Sequence, residues 1–146
     1  MIDDKSFFFV RRVAFADTDA MGVVHHVNYI KYFEEARVAW LRAKNLHGVH
    51  YPLAEMCLAV IESGCRHLRP LRFDQEIKIY VQARAEGLKI NMQYVIVPSL
   101  SEVEWAAVGH TVLVPLNKEL KPIRPPKELR QQLEKEIWTE TWLSNL

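Results

Sequence analysis

The chain has 146 residues, enough for one domain with a sizeable core, and we expect a single domain over residues 1–146. Its 49% hydrophobic and 25% charged residues are typical of a globular protein, and a net charge of +1 provides no strong field for nucleic acid or membranes. No signal peptide or membrane-spanning pattern occurs, and Cys57 and Cys65 lack metal or redox spacing. We therefore expect a cytoplasmic protein in which both thiols are reduced and lie in or near the core.

The first predicted elements are a strand, a loop and a long helix. Residues 7–16 are rich in aromatic and β-branched side chains, as strands are, and residues 17–25 read as a loop. From about residue 28 to residue 46 the apolar period is helical, and Asn45 and Gly48 are plausible stop signals. The residues on or beside the apolar side of this helix are Tyr29, Ile30, Phe33, Ala36, Trp40 and Leu41.

Strand patterns dominate the rest of the chain. After a connection over residues 49–57, strands are predicted at about 58–68, 77–84, 88–97 and 104–114, and Pro126 is placed to start a helix over about 127–143. The order predicts an α+β fold, one antiparallel sheet of about five strands with one long helix. Since one helix cannot cover both faces of a sheet, we expect a second copy to complete the core and protect an edge strand.

Residues 17–29, Asp-Thr-Asp-Ala-Met-Gly-Val-Val-His-His-Val-Asn-Tyr, contain the groups that a reaction site needs. Asp19 precedes Gly22, which permits a tight turn, and a helix start within ten residues. A carboxylate can act as nucleophile or base, and free N–H groups at a helix start can hold a developing oxyanion. The stretch therefore indicates acyl transfer, although Asp-Thr-Asp taken alone is more typical of a turn or helix cap.

Three apolar neighbours, Met21, Val23 and Val24, would form a wall around the Asp19 carboxylate. Such desolvation raises the energy of the ionised form and increases its basicity. Asp17 is expected to accept backbone hydrogen bonds in the turn, with catalysis as its second choice.

Thr18 is expected to stabilise the same turn, and Asn28 to cap the helix. His25 and His26 could serve acid–base chemistry or bind metal. Adjacent side chains point in different directions and no further ligands have suitable spacing, so no metal is predicted. The backbone N–H of His26, close to the helix start, could point at a carbonyl oxygen, and its imidazole could orient water or substrate.

We take Asp19 and His26 as the catalytic candidates. The expected substrate-binding residues are Gly22, Val23, Val24, His25 and Tyr29, the last of which also fits the helix core.

Positive charge is concentrated in residues 118–130 and in the run of Arg66, Arg69 and Arg72. Solvated basic faces are the ordinary interpretation, but a phosphorylated substrate would need such residues and Arg suits phosphate well. No Gly-rich phosphate loop or dinucleotide fingerprint is present. On charge alone, Lys121 and Arg124 are phosphate candidates.

The stretch Phe-Ala-Asp-Thr-Asp-Ala-Met-Gly-Val-Val-His-His-Val-Asn-Tyr at residues 15–29, with Phe-Glu-Glu-Ala-Arg at 33–37, resembles the 4-hydroxybenzoyl-CoA thioesterase-like branch of the hotdog superfamily. This branch includes acyl-CoA thioesterases associated with the bacterial Tol–Pal system. The motif covers about the first third of the chain. Leu68-Arg69-Pro70 and Phe73-Asp74 match the later layout more loosely.

The resemblance implies a hotdog fold, a curved antiparallel sheet wrapped around one long helix. It also implies a homodimer or homotetramer with active sites at the subunit interface. By this likeness Asp19 is the catalytic carboxylate and the backbone amide of His26 polarises the thioester carbonyl, whereas His25 stands where many relatives carry Tyr or Trp. No phosphate-binding residue can be carried over to the C-terminal third.

We therefore expect a hydrolase that cleaves an acyl-CoA thioester without a metal or redox cofactor, with no nucleic acid as partner. A hotdog hydratase is a rival that uses other motifs. A thioesterase acting on acyl carrier protein is a second, since residues 118–130 could dock an acidic carrier. A non-catalytic acyl-CoA-binding hotdog protein is the third. The acyl group stays open.

Overall fold

The sheet is built from five strands within residues 2–46 and 56–144, which the computed structural model describes. The strands are β1 (Phe7–Arg12), β2 (Met56–His67), β3 (Glu76–Glu86), β4 (Lys89–Pro98) and β5 (Ala107–Asn117). They pair antiparallel throughout, in the order β1-β3-β4-β5-β2. One long helix, α1 (Val27–Ala43), packs on the inner face of this sheet. The predicted α+β fold is confirmed.

Alternation along the strands divides the sheet into two faces. Inward side chains of β3 and β4, such as Ile79 and Tyr94, join the core beneath α1. Outward side chains of the same strands, such as Tyr80 and Val95, form a second cluster. This is the period of two that the sequence predicts for half-buried strands.

The inner core depends on a close approach between α1 and β5. A Cβ added at Gly109 would lie 2.2 Å from Cε2 of Phe33, and the Phe33 ring stacks on Tyr94 with centroids 4.6 Å apart. The absence of a side chain at Gly109 therefore leaves room for the Phe33 ring against β5.

The C-terminal helix prediction is wrong in its length. Instead of one helix over 127–143, the chain forms α2 (Lys127–Lys135), leaves helical geometry at Glu136, and then forms the short α3 (Thr141–Ser144). The break carries Trp142 to the outer face of the sheet, where it is fully buried against Tyr80 and Val108. The outer face is thus partly covered by the chain itself.

Several predicted boundaries also shift. Strand β1 ends at Arg12 and a 3-10 turn, Phe15–Asp17, follows where strand was expected. The last strand begins at Ala107, not residue 104, because residues 102–104 still form the preceding turn. Helix α1 ends before Asn45, whose φ of 59° confirms the stop, while Gly48 and most of the 49–57 connection lie outside the described residues.

Two predictions of side-chain burial are corrected. Ile30, predicted beside the apolar side of α1, is 36% exposed, whereas Tyr32, which the apolar pattern did not include, is fully buried. Cys57 is exposed and only Cys65 packs at the core margin. In the described part of the chain, no helix combines the length and apolar character needed to cross a membrane.

Candidate active site

The loop between β1 and α1 is closed by its own backbone hydrogen bonds. The N–H of Asp19 donates to the carbonyl of Val23 (2.9 Å), and that of Gly22 donates to the carbonyl of Asp19 (3.0 Å). Gly22 has φ +77°, a left-handed conformation that glycine adopts without a Cβ penalty. The predicted tight turn is therefore present, and residues 19–23 form a small hairpin-like loop.

One oxygen of the Asp19 carboxylate is held and the other is open. Oδ1 accepts a hydrogen bond from the N–H of Met21 at 2.8 Å. Among the residues that the structure describes, Oδ2 has no hydrogen-bond donor and no cation lies within ion-pair distance of the carboxylate. Asp19 is half-buried, so an oriented carboxylate oxygen remains available to react.

The start of α1 leaves one backbone donor unused. The N–H of Val27 donates to Nδ1 of His25 (3.2 Å), and the N–H groups of Asn28 and Tyr29 donate to the carbonyls of His25 and His26. Within the described ranges, the N–H of His26 has no acceptor. A free donor beside a helix N-terminus is suited to an oxyanion.

Asp19 and His26 line the same open cavity of about 370 Å³. The other lining residues are Val23, Val24, Tyr29, His67, Leu68, Arg69 and Pro70. The loop before α1 meets the segment that follows β2 here, where the N–H of Val24 donates to the carbonyl of Leu71 (2.8 Å). The site is therefore assembled from two distant parts of the chain.

Most of the predicted site residues meet at this cavity. Val23, Val24 and Tyr29 line it, whereas Gly22 and His25 do not: Gly22 shapes the turn, and the ring of His25 stacks on His26 at 4.3 Å between centroids. The expected apolar wall is only partly formed, because Met21 points away and is 82% exposed.

His67 and Arg69 are cavity residues that the sequence did not identify as a site. His67 lies at the end of β2, and its ring meets that of Tyr29 edge-on with centroids 4.6 Å apart. Burial lowers the pKa of His67, and repulsion from His26 lowers it further. The sequence signals were the presence of Arg69 in a basic run and the loose family match of Leu68-Arg69-Pro70.

Asp17 has surroundings opposite to those of Asp19. Its carboxylate is 2% exposed and accepts hydrogen bonds from Arg11, Lys31, Tyr32 and the N–H of Ala14. Burial alone would raise the pKa of Asp17, but these donors outweigh it and hold the pKa well below its usual range. The prediction of backbone donors holds only for the N–H of Ala14, because the other three donors are side chains.

Two neighbouring predictions have different outcomes. Thr18 donates its hydroxyl to the carbonyl of Phe15 at 2.7 Å, as a turn stabiliser does. Asn28 is not the helix cap: it lies inside the first turn and its Nδ2 donates to the carbonyl of Asp17 at 2.8 Å. The local sequence favoured a cap because Asn is common there, whereas the tertiary partner lies eleven residues away.

The other charged candidates lie elsewhere. Lys121 and Arg124 do not line the cavity, whereas Arg69 does. Nη1 of Arg69 donates to the carbonyl of Trp105 at 3.0 Å, which fixes this guanidinium at the cavity wall. In residues 2–46 and 56–144 no three His, Cys, Asp or Glu side chains are grouped as metal ligands would be.

Comparison with known proteins identifies a family whose model matches most of the chain. Residues 13–133 match the model described as the thioesterase-like superfamily. A 1,4-dihydroxy-2-naphthoyl-CoA hydrolase of Trichodesmium erythraeum is 32% identical over 144 residues, which cover 94% of this chain and 95% of that protein. The acyl-CoA thioesterase YbgC of Haemophilus influenzae is 50% identical over 42 residues, 29% of this chain and 31% of the relative.

A solved structure supports the fold independently. The 1,4-dihydroxy-2-naphthoyl-CoA thioesterase from Synechocystis matches with a TM-score of 0.80, covering 88% of this chain and 95% of its own. Its sequence is 20% identical, a level at which the likeness shows the fold alone.

Proposed function

The chain belongs to the thioesterase-like superfamily, and from this membership we propose that it hydrolyses an acyl-CoA thioester to the free acid and CoA. Two relatives named above act on CoA thioesters, one over most of this chain and one over its first part. The guanidinium of Arg69 at the cavity brings positive charge, which suits a substrate that carries phosphates.

The observation that carries the proposal is the pairing of two unused groups at one cavity. Oδ2 of Asp19 accepts no hydrogen bond and the N–H of His26 donates none, within the described residues. Acyl transfer needs a group that attacks or activates water and a donor for the oxyanion. Asp19 and His26 supply this pair, whereas the lone pairs of Asp17 are already occupied.

The substrate would lie with its carbonyl oxygen at the N–H of His26. Attack on the carbonyl carbon moves its π electrons onto that oxygen, and the hydrogen bond stabilises the negative charge that develops. Collapse of the tetrahedral intermediate breaks the C–S bond and releases the CoA thiolate, which takes up a proton. Removal of such an oxyanion donor costs on the order of 10²–10³-fold in rate.

Two routes to the tetrahedral intermediate are open to Asp19. As general base, it takes a proton from water while the water oxygen attacks the carbonyl carbon. As nucleophile, its carboxylate attacks directly and forms a mixed anhydride, which water then hydrolyses. Single turnover in ¹⁸O-labelled water tests the second route, because label enters the Asp19 carboxylate only when an anhydride forms and water attacks its Asp19 carbonyl carbon.

Replacement of the carboxylate by an amide tests its role. We expect Asp19→Asn to lose roughly 10²–10⁴-fold in kcat while the fold is kept, because the amide oxygen can still accept from the N–H of Met21. Thiol release from acyl-CoA and the circular dichroism of both proteins are the measurements.

Asp3→Asn is the matched control. Asp3 is exposed and its Oδ1 accepts from the N–H of Lys5 at 2.8 Å, the same local geometry as at Asp19 but outside the cavity. The control should retain wild-type turnover. Activity of Asp19→Asn close to wild type would remove Asp19 from the mechanism.

The acyl group and its carrier are decided by one substrate panel. Aliphatic and aromatic acyl groups are offered on CoA, and a shared acyl group is offered on both CoA and acyl carrier protein. Faster hydrolysis of the carrier-bound form would favour the carrier-protein alternative. Binding of acyl-CoA without thiol release from any substrate would make the protein a non-catalytic binder.

A further inference from the structure

Asp17 lies two residues before Asp19 and makes more polar contacts than any other residue of the loop that the structure describes. Its carboxylate accepts from Nη1 of Arg11 (2.5 Å), Nζ of Lys31 (2.7 Å), the hydroxyl of Tyr32 (2.8 Å) and the N–H of Ala14 (3.1 Å). A buried carboxylate with this many donors is both ionised and held in one orientation.

These donors come from separate elements. Arg11 belongs to β1, whereas Lys31 and Tyr32 belong to α1. The guanidinium of Arg11 also lies 4.5 Å from the centroid of the Tyr32 ring. The carboxylate therefore ties the end of the first strand to the first turns of the helix, across the loop that separates them.

The backbone carbonyl of Asp17 holds the far end of the same loop. It accepts from the N–H of His25 at 2.9 Å and from Nδ2 of Asn28 at 2.8 Å. The loop thus begins and ends at Asp17. Asp19 lies just inside this closed loop, and His26, with the free N–H, immediately follows it.

We infer that Asp17 is a positioning residue, which sets the separation between the Asp19 carboxylate and the N–H of His26 by fixing both ends of the loop between them. Its effect on rate rests on the proposed function, whereas its effect on the loop does not. Loss of the hydrogen bonds to Asp17 would leave the catalytic groups present but misplaced, and a misplacement of about 1 Å can cost roughly 10²-fold in rate.

Two buried tyrosines allow a matched test. Tyr32→Phe removes one hydrogen bond to Asp17, and Tyr94→Phe removes one to the hydroxyl of Thr111 (2.7 Å) in the core. Both rings are fully buried and both substitutions delete a single oxygen atom. Tyr32→Phe should lose more stability than Tyr94→Phe, because the Tyr32 hydroxyl donates to an ionised carboxylate and Tyr94 pairs with a neutral hydroxyl. Thermal unfolding measures both losses, and of the two tyrosines only Tyr32 contacts the Asp17 carboxylate.

Two readouts distinguish positioning from general stability. For Tyr32→Phe we expect kcat to fall about tenfold with little change in KM, because transition-state contacts are lost and ground-state binding is kept. Amide exchange at His25, read by NMR, should accelerate because its acceptor is loosened. Tyr94→Phe should keep wild-type kcat and wild-type exchange at His25.

Asp17→Asn is the stronger variant, and we expect roughly 10²-fold loss of kcat. If it does not fold, Tyr32→Phe decides alone. Wild-type kcat and His25 exchange in Tyr32→Phe, or equal losses in Tyr94→Phe, would overturn the inference. If the wild-type protein hydrolyses no thioester, the proposed function fails, and the His25 exchange rates still decide whether Asp17 positions the loop.

Discussion

Two aspartates two residues apart have different environments, and neighbouring groups decide their roles. Asp17 is surrounded by donors from β1 and α1, so its lone pairs are occupied and its charge is neutralised. Asp19 has one backbone donor and keeps an open oxygen. The same residue type therefore serves architecture in one place and is available for chemistry in the other.

A prediction about a single residue concerns the pKa of His67, which the sequence analysis did not identify as a site residue. Burial and repulsion from His26 both disfavour the charged form of His67, so we expect its pKa to lie below 6.5. Because the folded-state pKa is below the unfolded value, the unfolded state binds this proton more readily. The contribution of His67 to stability is then present above about pH 6.5 and is lost as pH falls through the folded-state pKa.

NMR titration of the His67 ring measures this shift directly. His26→Gln should raise the pKa of His67 by removing the repulsion, while burial keeps it below 6.5. His110→Gln, on the outer face of the sheet, is the control and should leave His67 unchanged. A wild-type pKa of 6.5 or higher would contradict the expected surroundings of this ring.

At the scale of elements, the position of α1 depends on contacts with the strand beneath it. The apolar period identified most of its buried side, but the burial of Tyr32 and the exposure of Ile30 reflect where the sheet lies against the helix. Gly109 permits the closest approach, since a side chain there would enter the space of Phe33.

Gly109→Ala should therefore destabilise the protein by about 1–3 kcal/mol, the usual cost of overpacking. The Phe33 ring cannot yield easily because it is fully buried and stacked on Tyr94. Urea unfolding gives the difference, and Phe33→Leu in the Gly109→Ala background should recover part of it.

Gly64→Ala provides the comparison. Its added Cβ would lie 2.6 Å from Cε1 of His110, but that ring stands on the partly exposed outer face and can move. We expect a cost below about 1 kcal/mol. Equal losses for the two glycines would mean that the contact between β5 and α1 is not as tight as described.

At the scale of the whole molecule, the chain covers both faces of its sheet by different means. Helix α1 covers the inner face, and the segment after α2 brings Trp142 onto the outer face. The expectation of a second copy rested partly on an uncovered outer face, and that reason is weakened. Strand β2 still forms one edge of the sheet, so pairing with a second copy stays a prediction.

Trp142→Ala should cost about 3–5 kcal/mol, as large-to-small changes of buried aromatic residues do. Trp138→Ala is the control, because Trp138 is only half-buried and its ring lies 4.2 Å from the guanidinium of Arg84. Urea unfolding of both variants gives the comparison. A loss for Trp142→Ala no larger than for Trp138→Ala would show that the C-terminal segment does not seal the outer face.

The sequence by itself determined what depends on near neighbours along the chain. The period of two in β3 and β4, the period of α1, the turn at Gly22 and the adjacency of Asp19 to a helix start are all set within about twenty residues. The site motif is local for the same reason, so the family resemblance could be recognised from one stretch.

Only the tertiary structure decided which distant residues meet. His67 and Arg69 reach the cavity because β2 ends beside the loop. The Asp17 carboxylate is held in place because Arg11 and Lys31 contact it from separate elements. The course of residues 136–144 follows from an apolar outer face that Trp142 can bury. Each depends on contacts between residues far apart in sequence, and no local period or spacing records such contacts.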